Sequence, residues 1–268
     1  MRPLTATVAR NERIVGRLSR LTLAAEALGA AQPGQWVAIT RPDARSILGR
    51  PFPLGALDPR TGQADIFYRD DVPGPGHVPY RDDPAVCPWL ATLPAGASLD
   101  VLGPWGRPFQ ISALARHVVV LGSGTRLFGL LALSWALAAR GDAVVVLHDA
   151  PTASDLVPPA LLPPAAEYHV ATLDGSAGSS GVALDLLPPL LRWADAVYAA
   201  LPPAGYLPLR DLVHRHRLRV RRGYATVLAE APLACYAAAC DGCGVRLRGG
   251  GYALLCKDGP AFDLLALE

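Results

Sequence analysis

The chain has 268 residues, 51% of them apolar and 18% charged, enough for real cores in one large domain or in two to three modest ones. A net charge of +2 gives no bulk electrostatic reason to bind nucleic acid or an anionic membrane. The N-terminus carries no apolar leader, the longest uncharged apolar run (Leu127 to Ala139) is too short to span a bilayer, and 26 glycines with 26 prolines stay below a low-complexity composition.

Short strands with turn chemistry between them fill the first hundred residues. Ala6-Thr-Val and Leu21-Thr-Leu23 read as strands, and Gln32-Pro-Gly-Gln-Trp-Val-Ala-Ile39 as a turn entering an apolar strand. Ala64-Asp-Ile-Phe-Tyr68 and Ser98-Leu-Asp-Val-Leu102 add two more. With little helical periodicity among them, these strands predict a small antiparallel barrel. Cys87 reads as a buried thiol or a loop residue.

The pattern then changes. His117-Val-Val-Val-Leu-Gly122 is a buried parallel strand, a helix is predicted from about Leu127 to Ala139, and Ala143-Val-Val-Val-Leu147 is the next strand, which together make a βαβ unit. Glu167-Tyr-His-Val-Ala171 and Ala196-Val-Tyr-Ala199 extend it to a parallel sheet with helices on both faces. The turn Gly122-Ser-Gly124-Thr-Arg126-Leu127 is glycine-rich, as a backbone approach to a pyrophosphate requires. Leu127 stands at the third glycine position of G-x-G-x-x-G, so that fingerprint is broken. His214-Arg-His-Arg-Leu-Arg-Val-Arg-Arg222 is a basic run, and the alternation of Arg217, Arg219 and Arg221 predicts three charges on one strand face. It reads as a solvated face or as a docking patch for an acidic partner.

Four of the five cysteines lie near the end, Cys235, Cys240, Cys243 and Cys256, spaced C-x4-C-x2-C-x12-C. This is the ligand spacing of a plant-type 2Fe–2S centre, where one tight loop supplies three thiolates and a later segment the fourth. Ala237, Ala238, Ala239, Gly242 and Gly244 are small enough for such a loop and let amides approach the sulfurs. Zinc would more usually take two C-x2-C knuckles, and only Cys240 and Cys243 form one. Two disulfides are also possible by count, although a chain of this size needs no staples.

Leu233-Ala-Cys-Tyr-Ala-Ala-Ala-Cys-Asp-Gly-Cys-Gly-Val245 and Cys256-Lys-Asp-Gly-Pro-Ala-Phe262 resemble the cluster domain of dihydroorotate dehydrogenase electron-transfer subunits, which belong with the ferredoxin reductase-like flavoproteins. The resemblance implies a β plus α/β architecture in three modules. These are an FAD-binding β-barrel (1–110), a Rossmann-like domain of the NAD-binding type (111–224) and a small 2Fe–2S domain (225–268). Pro33-Gly-Gln-Trp-Val37 and Leu99-Asp-Val-Leu-Gly-Pro-Trp-Gly106 resemble matching stretches of the family's barrel.

On the same basis Arg50-Pro51-Phe52-Pro53 stands at the flavin signature, which implies Arg50 on the FAD pyrophosphate and Phe52 against the isoalloxazine. Pro53 departs from the family's Ser or Thr and has neither hydroxyl nor N–H to donate. Gly74-Pro-Gly76-His77 matches a second flavin element, with His77 in place of Thr. Gly122 and Gly124 would hold the nucleotide pyrophosphate. Arg126 replaces a family glycine, and Ala200-Leu201-Pro202 replaces Cys-Gly-Pro, so the expectation is a retained fold with an eroded NAD site.

The function implied is electron transfer between a catalytic dihydroorotate dehydrogenase-type flavoprotein, the cluster, FAD and, where the site survives, NAD, in a cytoplasmic hetero-oligomer without a membrane span. Two alternatives stay open: a subunit of another oxidoreductase that keeps FAD and cluster without NAD, and a non-enzymatic cluster-binding assembly or regulatory subunit.

Overall fold

A computed structural model describes residues 3–42, 49–69, 86–233, 235 and 238–268. The chain divides into two compact units. One comprises residues Met1–Pro108, Glu230–Val245 and Ala253–Pro260; the other comprises Phe109–Ala229, Arg246–Tyr252 and Ala261–Glu268.

The first unit is built on seven strands: β1 (Pro3–Val15), β2 (Leu18–Ala24), β3 (Trp36–Ile39), β4 (Arg50–Pro53), β5 (Ala56–Asp58), β6 (Gln63–Arg69) and β7 (Ser98–Trp105). Their order in the sheet is β4-β3-β7-β1-β2-β6-β5, and each pair is antiparallel. The two strands at the ends of this order, β4 and β5, are separated in sequence by Leu54 and Gly55 alone. One continuous segment therefore joins both edges, and the sheet curls into a barrel. Period-two alternation fills it: Leu99 and Val101 of β7 point inward while Ser98 and Asp100 are exposed. Ala6, Val8, Leu21, Leu23, Val37, Ile39 and Ile66 complete the interior. The short helix α1 (Val86–Leu90) carries Cys87 into that core as a buried thiol. Asn11 of β1 fastens the helix by donating to the carbonyls of Leu90 and Leu93 at 2.8 and 2.9 Å.

The second unit is an α/β sandwich. Strands β8 (His117–Ser123), β9 (Ala143–Ala150), β10 (Glu167–Thr172), β11 (Ser179–Ser180), β12 (Ala196–Ala200) and β13 (Ala225–Leu228) are parallel, in the order β11-β10-β9-β8-β12-β13. The chain runs outward from β8 in one direction through β9 and β10, then returns to β8's other side with β12. The strand order thus reverses between β8 and β12, where open α/β sheets hold ligands beyond the carboxyl ends of the strands. Helix α2 (Phe128–Ala139) is apolar on nearly every face and buried accordingly. Helix α3 (Ala183–Leu186) precedes β12, and α4 (Tyr206–His216) follows it.

The C-terminal stretch 225–268 is shared between the two units. A segment this short buries too little apolar surface to build a core of its own. Strand β13 completes the parallel sheet; β14 (Gly244–Arg246) and β15 (Tyr252–Leu254) pair as a ribbon; α5 (Leu255–Asp258) follows; and β16 (Ala261–Asp263) adds to β13 antiparallel.

The expected strand face for Arg217, Arg219 and Arg221 is corrected here, because 217–222 forms no strand. Arg217 instead donates to the carbonyls of Leu191 and Ala194 at 2.8 and 2.9 Å and lies 4.4 Å over the Tyr224 ring. Satisfying two loop carbonyls overrides the alternation. Arg219, Arg221 and Arg222 stay exposed. Among the described residues no helix is long and apolar enough to cross a membrane.

Candidate functional site

The four cysteines of the predicted cluster motif all belong to the first unit, and two of them meet there. Cys243 and Cys256 are buried, with their sulfurs 3.4 Å apart. That separation is far beyond a disulfide bond of about 2.05 Å, and among the described residues no cysteine is in a disulfide. It is close to the spacing of about 3.8 Å between two sulfurs sharing one tetrahedral metal at 2.3 Å each. Cys235 is half-buried and Cys240 exposed. The Ala239 N–H points at Cys235 Sγ and the Gly242 N–H at Cys240 Sγ, each at 3.4 Å.

The backbone accounts for this aim. Ala238 and Asp241, each immediately before one of those amides, hold left-handed φ angles of 55° and 52°. A non-glycine residue is rarely left-handed, and such conformations concentrate where a loop must present its amides inward. Burial, with the Cys243 thiol beside it, pushes the Cys256 thiol up to about 11, while the Ala238 amide pulls the other way.

The barrel anchors this segment. The Arg107 N–H donates to the Gly259 carbonyl at 2.6 Å, and the Arg107 guanidinium reaches the Lys257 carbonyl and Asp258 at 3.3 and 3.5 Å. Gly106 must be glycine here: its φ is +90°, and a Cβ would stand 2.6 Å from Pro260 Cδ. Among the described residues no three His, Cys, Asp or Glu side chains converge on a single-ion position. A 2Fe–2S centre asks instead for two sulfurs on each of two irons, and the buried Cys243–Cys256 pair meets half of that demand.

On the barrel, β4 pairs with β3 so that Ile39 faces Arg50, Val37 faces Phe52 and Trp36 faces Pro53. Arg50 and Phe52 therefore share the inner face, Arg50 being 7% exposed with its guanidinium 5.6 Å from the Phe52 centroid. The Phe52 ring lies in the hydrophobic core cluster, not on an open face where a ring could stack, because it alternates with Pro51 and Pro53. The half-buried Pro51 and Pro53 share the other face with Trp36. Trp36 packs on Trp105 at 5.9 Å between centroids. The Trp36 Nε1–H is buried and has no hydrogen-bond partner among the described residues. An orphaned buried donor costs about 1–3 kcal/mol, so this face lacks an acceptor that a bound group would supply. Gly74, Gly76 and His77 lie outside the described residues.

In the second unit Gly122 and Gly124 occupy the turn after β8. A Cβ on Gly122 would stand 2.8 Å from Leu127 Cα, so this glycine is required for close strand–helix approach. The turn is held from β9. His148, fully buried, has Nε2 3.1 Å from the Gly124 carbonyl and Nδ1 2.8 Å from the Tyr168 hydroxyl. The Gly124 carbonyl calls for an Nε2–H, while the one Tyr168 hydroxyl proton is shared between Nδ1 and the Val157 carbonyl 2.9 Å away. Burial lowers the His148 pKa to about 4, against the raising effect of the Gly124 carbonyl, so the ring is neutral. Its neighbour Asp149 accepts from Ser123 Oγ and the Ala183 N–H, both at 2.7 Å.

Sequence reasoning missed Trp36, His148 and Asp149 as site residues. His148-Asp149 closing an apolar strand was the available signal, since polar side chains at that end of a parallel strand face the ligand crevice.

No protein-family profile matches the chain. A curated relative from Bacillus caldolyticus, the electron transfer subunit of dihydroorotate dehydrogenase B (NAD(+)), is 30% identical over 262 residues, covering 96% of this chain and 95% of the relative. The chain belongs to this family of electron-transfer subunits. The Streptococcus thermophilus member is 27% identical over 263 residues with the same coverage. Among solved structures, an NADH-dependent reduced ferredoxin–NADP oxidoreductase superposes with a TM-score of 0.78 at 20% identity, over 98% of this chain and 89% of that one. The FAD/NAD-binding domain of a Vibrio cholerae nitric oxide dioxygenase gives 0.65 at 17% identity, over 85% and 98%. These place the barrel and the α/β unit in the ferredoxin reductase-like fold.

Proposed function

We propose that this electron-transfer subunit holds a 2Fe–2S cluster on Cys235, Cys240, Cys243 and Cys256 and FAD on the barrel face of β3 and β4, and serves a catalytic dihydroorotate dehydrogenase-type partner. The observation that carries the reading is the cysteine loop. Two sulfurs already lie at metal-sharing distance, and left-handed residues aim amides at the other two. When bound, the cluster supplies one-electron chemistry and the flavin links it to two-electron chemistry.

The rest is done by the chain's own residues. Amide donors at Cys235 and Cys240 stabilise negative charge on sulfur and so favour the reduced state. Arg107 fixes α5, and with it Cys256, against the barrel. Arg50 keeps a cation in the low-dielectric wall of β4, and Trp36 offers the unused donor beside Pro53. The three sequence modules are kept in this reading as functional regions, with the cluster segment 225–268 interlaced with both folded units.

Anaerobic purification followed by iron, acid-labile sulfide and flavin analysis tests it. The expected result is about two irons, two sulfides and one FAD per chain. Zinc without iron, or iron that survives Cys243→Ser unchanged, would overturn the cluster assignment. A cluster-loaded chain that never carries flavin would overturn the FAD assignment.

A further inference from the structure

We infer that the amino end of the parallel sheet in the α/β unit is a docking surface for an acidic protein, anchored on Leu114, Trp193 and Leu218. Strands β8, β12 and β13 are neighbours and parallel, so the loops entering them (112–116, 191–195 and 217–224) lie side by side at one end of the sheet. At a strand spacing of about 4.8 Å the three entries span about 10 Å. Small ligands of such sheets bind at the opposite, carboxyl end, where the glycine turn after β8 lies.

Each of the three loops exposes one large apolar side chain: Leu114 is 81% exposed, Trp193 36%, and Leu218 entirely. Single exposed apolar groups are ordinary, but three on neighbouring loops mark a contact surface. Arg116, Arg192, Arg219, Arg221 and Arg222 are exposed around them. The carboxylates at this end are occupied by the chain itself. Asp195 accepts from the Arg116 and His117 N–H groups, both at 3.0 Å, with His117 Nδ1 3.3 Å away. Asp142 is buried against Arg116 and Arg140, and Asp263 accepts from the Gly223 and Leu265 N–H groups. The loops are also tied together. Arg217 and the Tyr224 hydroxyl both donate to the Leu191 carbonyl, Arg217 also reaches that of Ala194, and the His117 ring lies 4.9 Å from that of Trp193. A surface fixed in this way loses little freedom when it is covered.

The mixture of side chains selects the occupant. Trp and Arg dominate the energetic centres of protein interfaces. A nucleic acid would use the arginines and the indole but leave both leucines in water. A second copy presenting the same face would set arginine against arginine. An acidic protein surface with an apolar centre answers both the charges and the leucines.

The test places a photo-crosslinking amino acid at position 218 of the full chain in its native cells and identifies the adduct by mass spectrometry. The captured protein is then purified and titrated against the wild-type chain, Leu218→Asp and the triple variant Arg219→Glu, Arg221→Glu, Arg222→Glu, at low and at high salt. These side chains are exposed, so both variants should melt with the wild type. The expected result is an adduct with an acidic protein that binds about tenfold more weakly to Leu218→Asp. Charge reversal should slow its association at least about tenfold and remove most of the salt dependence. No protein adduct, an adduct with nucleic acid, with a second copy or with a protein lacking an acidic face, or equal affinity for wild type and both variants, would overturn the inference. Iron and flavin content play no part in the titration, so this inference and the proposed function can fail separately.

Discussion

His148 is the most informative single residue outside the cysteines. It is buried and neutral, with a folded pKa lowered from 6.5 to about 4 by desolvation. The unfolded chain therefore takes up a proton between these values and the folded chain does not. The stability due to neutral His148 is fully present above pH 6.5, falls as the pH drops toward 4, and levels off below it. The size is about 3 kcal/mol over that window. Urea midpoints at pH 7 and pH 4.5 should differ strongly in the wild type and by clearly less in His148→Gln; an equal difference would remove His148 as the cause. At the same scale, the cysteines proposed as cluster ligands were legible as letters in a spacing. Trp36 was legible only as an apolar strand residue, because nothing in a sequence says which indole N–H will end up buried without an acceptor.

Among the elements, strands and the long helix follow their residue patterns closely. Val118 to Leu121 and Val144 to Leu147 are buried, as continuous apolar runs in a parallel sheet should be. The segment after α4 is where local pattern misled. Arg217, Arg219 and Arg221 look equivalent in sequence, but only Arg217 caps two carbonyls and covers an aromatic ring. Arg217→Ala should therefore cost roughly 2 kcal/mol and lower the melting temperature by several degrees, whereas Arg219→Ala should stay within about 0.5 kcal/mol. Thermal unfolding of the two variants side by side checks this, and equal melting temperatures would refute the structural role of Arg217.

At the level of the molecule, the C-terminal stretch is interlaced with what precedes it. Strands β13 and β16 belong to the seven-stranded sheet of the α/β unit, while α5 is fastened to the barrel by Arg107. A chain cut after residue 224 would lose two strands of that sheet and expose the side of β12 that Ala225, Thr226 and Val227 cover. It should be proteolysed rapidly and lack a cooperative melting transition, while the full chain melts cooperatively. A truncated chain that melts like the full one would mean that the first 224 residues fold without their last strands.

The sequence by itself determined the order of barrel, α/β sheet and cysteine motif, because period-two alternation, apolar runs and ligand spacing are local properties of neighbouring residues. It also carried the family, through the run from Cys235 to Phe262. Only the tertiary structure decided that Phe52 is core, that Asp149 accepts from Ser123 and Ala183, and that Leu201 is buried beside Gly205. Each of those facts depends on a partner brought close by folding, and the chemistry left available to a side chain is set by the partners it has already met.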